Sequence, residues 1–240
     1  LHVGAADRRA RTVLVASAAP GDGRSSTAAN LAVALAGSGR RVLLIDADLR
    51  GPALHAVFGV SAGAGLSDLL STGADALADA ARPTGVQGLS LLPCGPAPAD
   101  PTALLNDDAL PTLLDAAADA YDAVVVDAAP LSAGPDARII AAHCDATLLV
   151  VRASASTRRG CVRACRSLLD VGARVAGVVM NAVPGGGGTR TGRPDRGWRG
   201  AEETAVRGLL TDASVPLAHP NEGDDSAQRW SSGSTSDRSW

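Results

Sequence analysis

Thr12-Val13-Leu14-Val15-Ala16-Ser17-Ala18-Ala19-Pro20-Gly21-Asp22-Gly23-Arg24-Ser25-Ser26 is the stretch on which the reading of this chain turns. Its first residues are a β-branched, apolar run that predicts a strand, and the apolar-periodic segment from Thr27 to Leu35 predicts a helix. A glycine-rich turn between a strand and a helix start can hold a phosphate. Its N–H groups point inward, and the helix N-terminus adds partial positive charge. Pro20 and Gly21 shape the turn, Gly23 lets the backbone approach a phosphate, and Ser25 stands where a hydroxyl reaches Mg²⁺ in the pattern G-x-x-x-x-G-K-[ST]. Two positions depart from that pattern: Ala18 replaces the first Gly, and Arg24 replaces the Lys.

The segments that follow extend the same design. Arg41-Val42-Leu43-Leu44-Ile45-Asp46-Ala47-Asp48-Leu49-Arg50 begins as a continuous apolar run, the mark of a strand buried on both faces in a parallel sheet. Tyr121-Asp122-Ala123-Val124-Val125-Val126-Asp127 repeats it, and further strands are predicted at Leu89 to Leu92, Ala146 to Arg152 and Val175 to Asn181. Helices are predicted near Leu66 to Leu70 and over Leu104 to Ala118 and Thr157 to Val171. Strand and helix alternating at this rate predict a mostly parallel, doubly wound α/β sheet. Ligands of such sheets bind at the carboxyl ends of the strands. Asp46, Asp48 and Asp127 all fall there, beside the glycine-rich turn. Phosphoryl transfer needs a phosphate cradle, a metal and a group that orients or deprotonates the nucleophile, and these residues offer all three.

Composition narrows the alternatives. The chain has 240 residues, is 46% hydrophobic and carries a formal charge of -3, which suits one α/β domain with its own core. Aromatic residues make up 2% of it, so base-stacking surfaces and a nucleic-acid partner are not expected. Cys94, Cys144, Cys161 and Cys165 have no metal-type spacing and read as free thiols. No run reaches the length of a membrane span, and no signal peptide is visible. Residues 1–10 read as a polar lead-in, 11–183 as the domain, and 184–240 as a Gly-, Arg- and Ser-rich flexible tail, with a short helix at Ala201 to Thr211. The sequence opens on Leu1 rather than Met, so it reads as part of a longer polypeptide, and an upstream anchor stays open.

These motifs resemble those of the bacterial tyrosine kinases of the CpsD/CapB type, within the wider MinD/ParA P-loop ATPases. The family's first motif, T-S-x-x-P-G-E-G-K-S-T, corresponds to Ala16 through Ser26, and its apolar run followed by D-x-D-x-R is matched fully by Leu43 to Arg50. The third motif, an apolar run then D-T-P-P, is matched by Val124 to Asp127 and continues as Ala128-Ala129-Pro130. Gly65 to Leu70, Leu91 to Gly95 with Pro101 to Leu105, and Gly177 to Asn181 resemble further family segments.

The resemblance implies ATP and Mg²⁺ as cofactors and protein tyrosine as the phosphate acceptor. It implies that Pro20 to Ser26 and Asn181 bind the nucleotide, with Asn181 near the base. Ser25 and Asp48 would hold Mg²⁺, Asp127 would act through Mg²⁺ or its water, Asp46 would be the base on the tyrosine hydroxyl, and Arg24 would replace the phosphate-contacting lysine. It also implies a membrane polysaccharide chain-length or export protein as partner, assembly of like subunits, and a place at the inner face of the plasma membrane. Two departures keep a second reading open. The tail lacks the family's tyrosine cluster, Tyr121 being the chain's single tyrosine, and Arg24 is a planar fork rather than a point charge. The second reading is therefore a catalytically weak, nucleotide-sensing module of polysaccharide export. A MinD/ParA-type switch is a third, although Ala19 stands where that group has its signature Lys.

Overall fold

The computed structural model describes residues 10–183. The lead-in, the glycine run, the 201–211 helix and the Ser-rich tail lie outside the described residues. Seven strands form one sheet in the order β3-β4-β2-β5-β1-β6-β7. In chain order they are β1 (Thr12–Ser17), β2 (Val42–Ala47), β3 (Arg82–Pro83), β4 (Leu89–Leu92), β5 (Ala123–Ala128), β6 (Ala146–Arg152) and β7 (Val175–Asn181). Every pairing is parallel except that of β3 with β4. The helices are α1 (Arg24–Gly37), α2 (Leu54–Phe58), α3 (Leu66–Thr72), α4 (Leu77–Ala80), α5 (Pro101–Leu105), α6 (Ala109–Ala120), α7 (Asp136–His143) and α8 (Arg158–Leu169).

Alternate strand residues build two cores. Val13, Val15, Val42, Leu44, Val125 and Val150 face α1, which meets them with Ala28, Ala29, Ala32 and Ala36. Alanines on that face let the helix lie close to the sheet, so a core with few aromatic residues still closes. Leu14, Leu43, Ile45, Val124, Val126 and Leu149 face the opposite layer, which includes Leu66, Leu69, Leu113, Ile140 and Leu168. Covering on both faces is why the strands read as unbroken apolar runs.

Three expectations change. The helix expected over Leu104 to Ala118 is two, α5 and α6, separated at Asn106 to Asp108. Asp100 caps α5 by accepting from the N–H groups of Thr102 and Ala103, and α6 restarts with Pro111 in its first turn, where a missing N–H costs nothing. The helices α2, α4 and α7 and the short strand β3 have no sequence counterpart above. The first helix begins at Arg24, three residues earlier than the apolar period suggests, so the glycine-rich turn ends at Gly23.

The entry of β1 is fixed by Asp145, which precedes β6. Its Oδ2 accepts from the Arg11 N–H at 2.8 Å, the Thr12 N–H at 2.9 Å and the Thr12 hydroxyl at 3.0 Å. Hydrogen bonds to a charged acceptor are stronger than neutral ones, and these are partly exposed. Asp145→Ala is expected to lower unfolding free energy by about 1–2 kcal/mol in urea denaturation, with Asp145→Asn recovering part of it.

Candidate functional site

β1, β2 and β5 end at one edge of the sheet, where β2 and β5 bring Asp46 level with Asp127. The chain leaving β1 makes the glycine-rich turn there. Gly21 and Gly23 have φ of +80° and +91°, a region that favours glycine. A Cβ on Gly23 would also collide with the Asn181 side chain. The turn is held from outside by three groups. The Asp22 carboxylate accepts from the Ala19 N–H at 3.0 Å and the Ser156 hydroxyl at 3.1 Å. Arg152 donates to the Gly21 carbonyl at 3.1 Å, and the Asn181 amide donates to the Asp22 carbonyl at 3.0 Å.

With its carbonyls and carboxylate so engaged, the turn leaves its donors free. After the Ala19 N–H, the next backbone N–H of this region with a protein acceptor is that of Thr27, which bonds the Gly23 carbonyl. Among the described residues the N–H groups of Gly21 through Ser26 have none. They lie at the positive end of the fourteen-residue α1, which has no side-chain cap. A row of unpaired N–H groups on a helix dipole suits a phosphate chain. The nucleotide-binding residues expected from sequence are thus brought together: Pro20 to Ser26 form the turn, and Asn181 buttresses it.

The carboxylates are arranged differently from one another. Asp46 is fully buried and serves its own backbone. Its Oδ2 accepts from the N–H groups of Ala53 at 3.1 Å and Leu54 at 3.0 Å, and Oδ1 accepts from Asp48 at 3.4 Å. It therefore fixes the start of α2 and the D-x-D turn. Burial pushes its carboxyl up to about 6, against the Leu54 N–H that favours the charge and with Asp127 adding repulsion. Asp48 and Asp127 instead converge on Arg24, whose Nη2 is 2.7 Å from Asp48 Oδ2 and whose Nε is 2.6 Å from Asp127 Oδ1. The Ser25 hydroxyl lies 3.4 Å from the same Nη2. Burial raises the Asp127 carboxyl, while the Arg24 guanidinium and the Ser25 hydroxyl pull it back.

Ser25, Asp48 and Asp127 are hard oxygen donors gathered beside a phosphate cradle, and this donor set fits Mg²⁺. Mg²⁺ is characteristically held by one or two carboxylates plus substrate phosphates rather than by an all-protein cage. Among the described residues, no group of three or more His, Cys, Asp or Glu is placed to hold a metal. Cys94 and Cys144 are buried free thiols, each pushed up to about 12, chiefly by burial, whereas Cys161 and Cys165 are half-buried.

Sequence reasoning missed the residues that brace the site from a distance. Arg50 donates Nε to Asp136 Oδ2 at 2.7 Å and Nη2 to Asp136 Oδ1 at 3.1 Å, and the Thr102 hydroxyl donates to the same Oδ1 at 2.9 Å. This clamp ties the D-x-D-x-R turn to α5 and α7. Asp136 lies 86 positions from Arg50 and Ser156 lies 134 from Asp22, so no local spacing signals either pair.

This geometry has clear relatives. The ParA family model, described as "NUBPL iron-transfer P-loop NTPase", matches residues 8–183. The tyrosine-protein kinase YwqD of Bacillus subtilis (strain 168) is 35% identical over 175 residues, which cover 73% of each chain. The tyrosine-protein kinase wzc of Salmonella typhimurium is 31% identical over 183 residues, 76% of this chain and 25% of that one. Among solved structures, the kinase domain of the Escherichia coli tyrosine kinase ETK superposes with a TM-score of 0.72 at 30% identity, covering 79% of this chain and 74% of that one. MinD of Pyrococcus horikoshii, complexed with Mg-ADP, shares the fold at a TM-score of 0.61 and 24% identity, over 84% of this chain and 77% of that one. The fold is that of a P-loop NTPase, and the chain belongs to the ParA family. Within that family, the chain belongs with the bacterial tyrosine kinases.

The Asp46 environment gives a measurable pH dependence. Its carboxyl is raised from 3.8 to about 6, so the folded state binds more protons than the unfolded one across that window. Stability is greatest below the unfolded value and is lost as pH rises through the folded one. Relative to Asp46→Asn, the natural protein in metal-free buffer is expected to lose about 2 kcal/mol between pH 4 and pH 7, at no more than about 1.4 kcal/mol per unit. A difference that stays flat with pH contradicts this environment.

Proposed function

We propose that this chain is the ATP-binding, tyrosine-kinase-like domain of a capsule or exopolysaccharide assembly system. One observation supports the reading above others: the six consecutive N–H groups of Gly21 to Ser26, unpaired among the described residues, run into the helix whose first residue, Arg24, bonds the carboxylates of Asp48 and Asp127. ATP is the ligand that such a cradle suits, since a triphosphate meets the N–H groups while its outer oxygens reach toward the strand-end carboxylates. Bound Mg²⁺ supplies neutralisation of charge on the transferred phosphoryl group.

The residues then have distinct tasks. Gly21 to Ser26 would bind and align the phosphates, Asn181 holds the loop through Asp22, and Ser25, Asp48 and Asp127 would be the metal's protein ligands. Asp46, raised to about 6, has the proton affinity of a base working near neutral pH. Its Oδ2 holds the Ala53 and Leu54 N–H groups, so a proton from a tyrosine hydroxyl would go to Oδ1, whose one contact is the long 3.4 Å bond from Asp48. Arg24, freed from its carboxylates, is long enough and charged enough to contact phosphate.

The tyrosine acceptor must come from another molecule or another segment. Tyr121, the single tyrosine, precedes β5 at the opposite end of the sheet from the site. A membrane polysaccharide chain-length or export protein fits as the partner, and it would bring the domain to the inner face of the membrane. No helix among the described residues is long and apolar enough to cross a membrane. The second reading, a nucleotide-sensing module with little turnover, is favoured by the bonding of Arg24 to Asp48 and Asp127.

Turnover with ATP, Mg²⁺ and a tyrosine-containing peptide, measured for the natural chain beside Arg24→Lys, separates the two. Phosphotyrosine formed by the natural chain establishes the kinase. Binding by both with turnover only after Arg24→Lys establishes the nucleotide sensor, with an expected rate gain of at least about tenfold. Absence of ATP and ADP binding by either protein contradicts the proposal.

A further inference from the structure

Arg24 stands where the kinase pattern has a lysine, yet its guanidinium does not lie in the phosphate cradle. It lies between the two carboxylates that would receive the metal. Nη2 is 2.7 Å from Asp48 and Nε is 2.6 Å from Asp127, and the Ser25 hydroxyl is 3.4 Å from that same Nη2. All three expected metal ligands therefore surround one cation that belongs to the chain. We infer that Arg24 is the resident cation of the Asp48 and Asp127 pair and competes with Mg²⁺ for it, so that the metal enters only when the guanidinium withdraws. The inference deepens the nucleotide-site reading, and its first test does not depend on nucleotide.

Charge and geometry both support competition rather than joint occupancy. Arg24 is 9% exposed and Asp127 is 1% exposed, so their attraction is little screened by water. A guanidinium is always protonated, and its planar fork presents two donors in fixed directions that here satisfy two separate carboxylates. Two carboxylates and one guanidinium sum to a single negative charge. Adding a divalent cation with Arg24 in place would seat two cations on the same oxygens, at distances where like charges repel strongly. A lysine would supply a shorter, point-like ammonium that cannot fill the space between both carboxylates in this planar way.

The same arrangement explains what displaces Arg24. A phosphate chain seated on the Gly21 to Ser26 N–H groups brings negative charge to the turn that carries Arg24, giving the guanidinium a second anion to bind. Transfer of Arg24 from carboxylate to phosphate clears the oxygens of Asp48 and Asp127 for the metal. Nucleotide comes first and metal second, with Arg24 as the residue that sets this order.

Manganese serves as a paramagnetic substitute for Mg²⁺ in the test. Free and bound Mn²⁺ are quantified by electron paramagnetic resonance for the full chain, Arg24→Gln and Arg24→Ala, without nucleotide and then with ADP. Correct folding of each protein is confirmed by circular dichroism. The natural chain is expected to bind Mn²⁺ at least about tenfold more weakly than whichever neutral variant folds, and addition of ADP is expected to reduce that gap. Should both variants fail to fold, the natural chain alone decides: ADP is expected to tighten its Mn²⁺ binding at least about tenfold beyond the affinity of ADP itself for Mn²⁺. Equal Mn²⁺ affinity of natural and neutral proteins without nucleotide overturns the inference, as does tight Mn²⁺ binding by the natural chain alone. Weaker Mn²⁺ binding by the natural chain, with no ADP bound by any of the proteins, upholds the competition while removing the nucleotide reading.

Discussion

Parallel pairing of β1 with β5, and of β5 with β2, is the constraint from which the site follows. Because these strands run the same way, their carboxyl ends lie on one edge. Whatever ends each strand is delivered there, although the residues are far apart in sequence. β1 brings the glycine-rich turn, β2 brings Asp46 and Asp48, and β5 brings Asp127. β7, one strand beyond β6, ends in Asn181 at the same edge and braces the turn. Were any of these strands antiparallel, its final residue would emerge at the other end of the sheet.

Bringing three buried aspartates to one edge creates an electrostatic problem, which the chain solves in two ways. Asp46 is satisfied by backbone N–H groups and holds the next turn in place. Asp48 and Asp127 are satisfied by Arg24. A buried carboxylate without a partner costs several kcal/mol, so removing either arrangement alone would strain the edge. The unpaired N–H groups of the turn are the complementary feature, since they await negative charge while the carboxylates beside them already hold a positive group. The site is thus poised for an anion.

Much of this was legible in the sequence because the strands are buried on both faces. Val42 to Ile45 and Val124 to Val126 are unbroken apolar runs that few other structures need, and Asp46, Asp48 and Asp127 could be placed at the edge from their positions alone. The turn could be read as a phosphate site because glycines at Gly21 and Gly23 have a clear backbone reason. Other features are set by tertiary packing. α2 is five residues long, too short to impose a helical period, and its start is held by Asp46 rather than by a local cap. The break between α5 and α6 depends on Asn106 to Asp108, three polar residues that interrupt an otherwise continuous apolar pattern. Above all, the partners of Arg24 lie 24 and 103 positions away, so its place among the metal ligands appears only in three dimensions.

The backbone of Gly21 to Ser26 is proposed as a nucleotide's phosphate cradle. Amide resonances of the ¹⁵N-labelled chain, followed during titration with ADP, address it residue by residue. Saturable shifts are expected to be largest at Gly21 to Ser26, extending to Asn181 and to Arg24 as its contacts change. Saturable shifts centred elsewhere, with these amides unmoved, would contradict it.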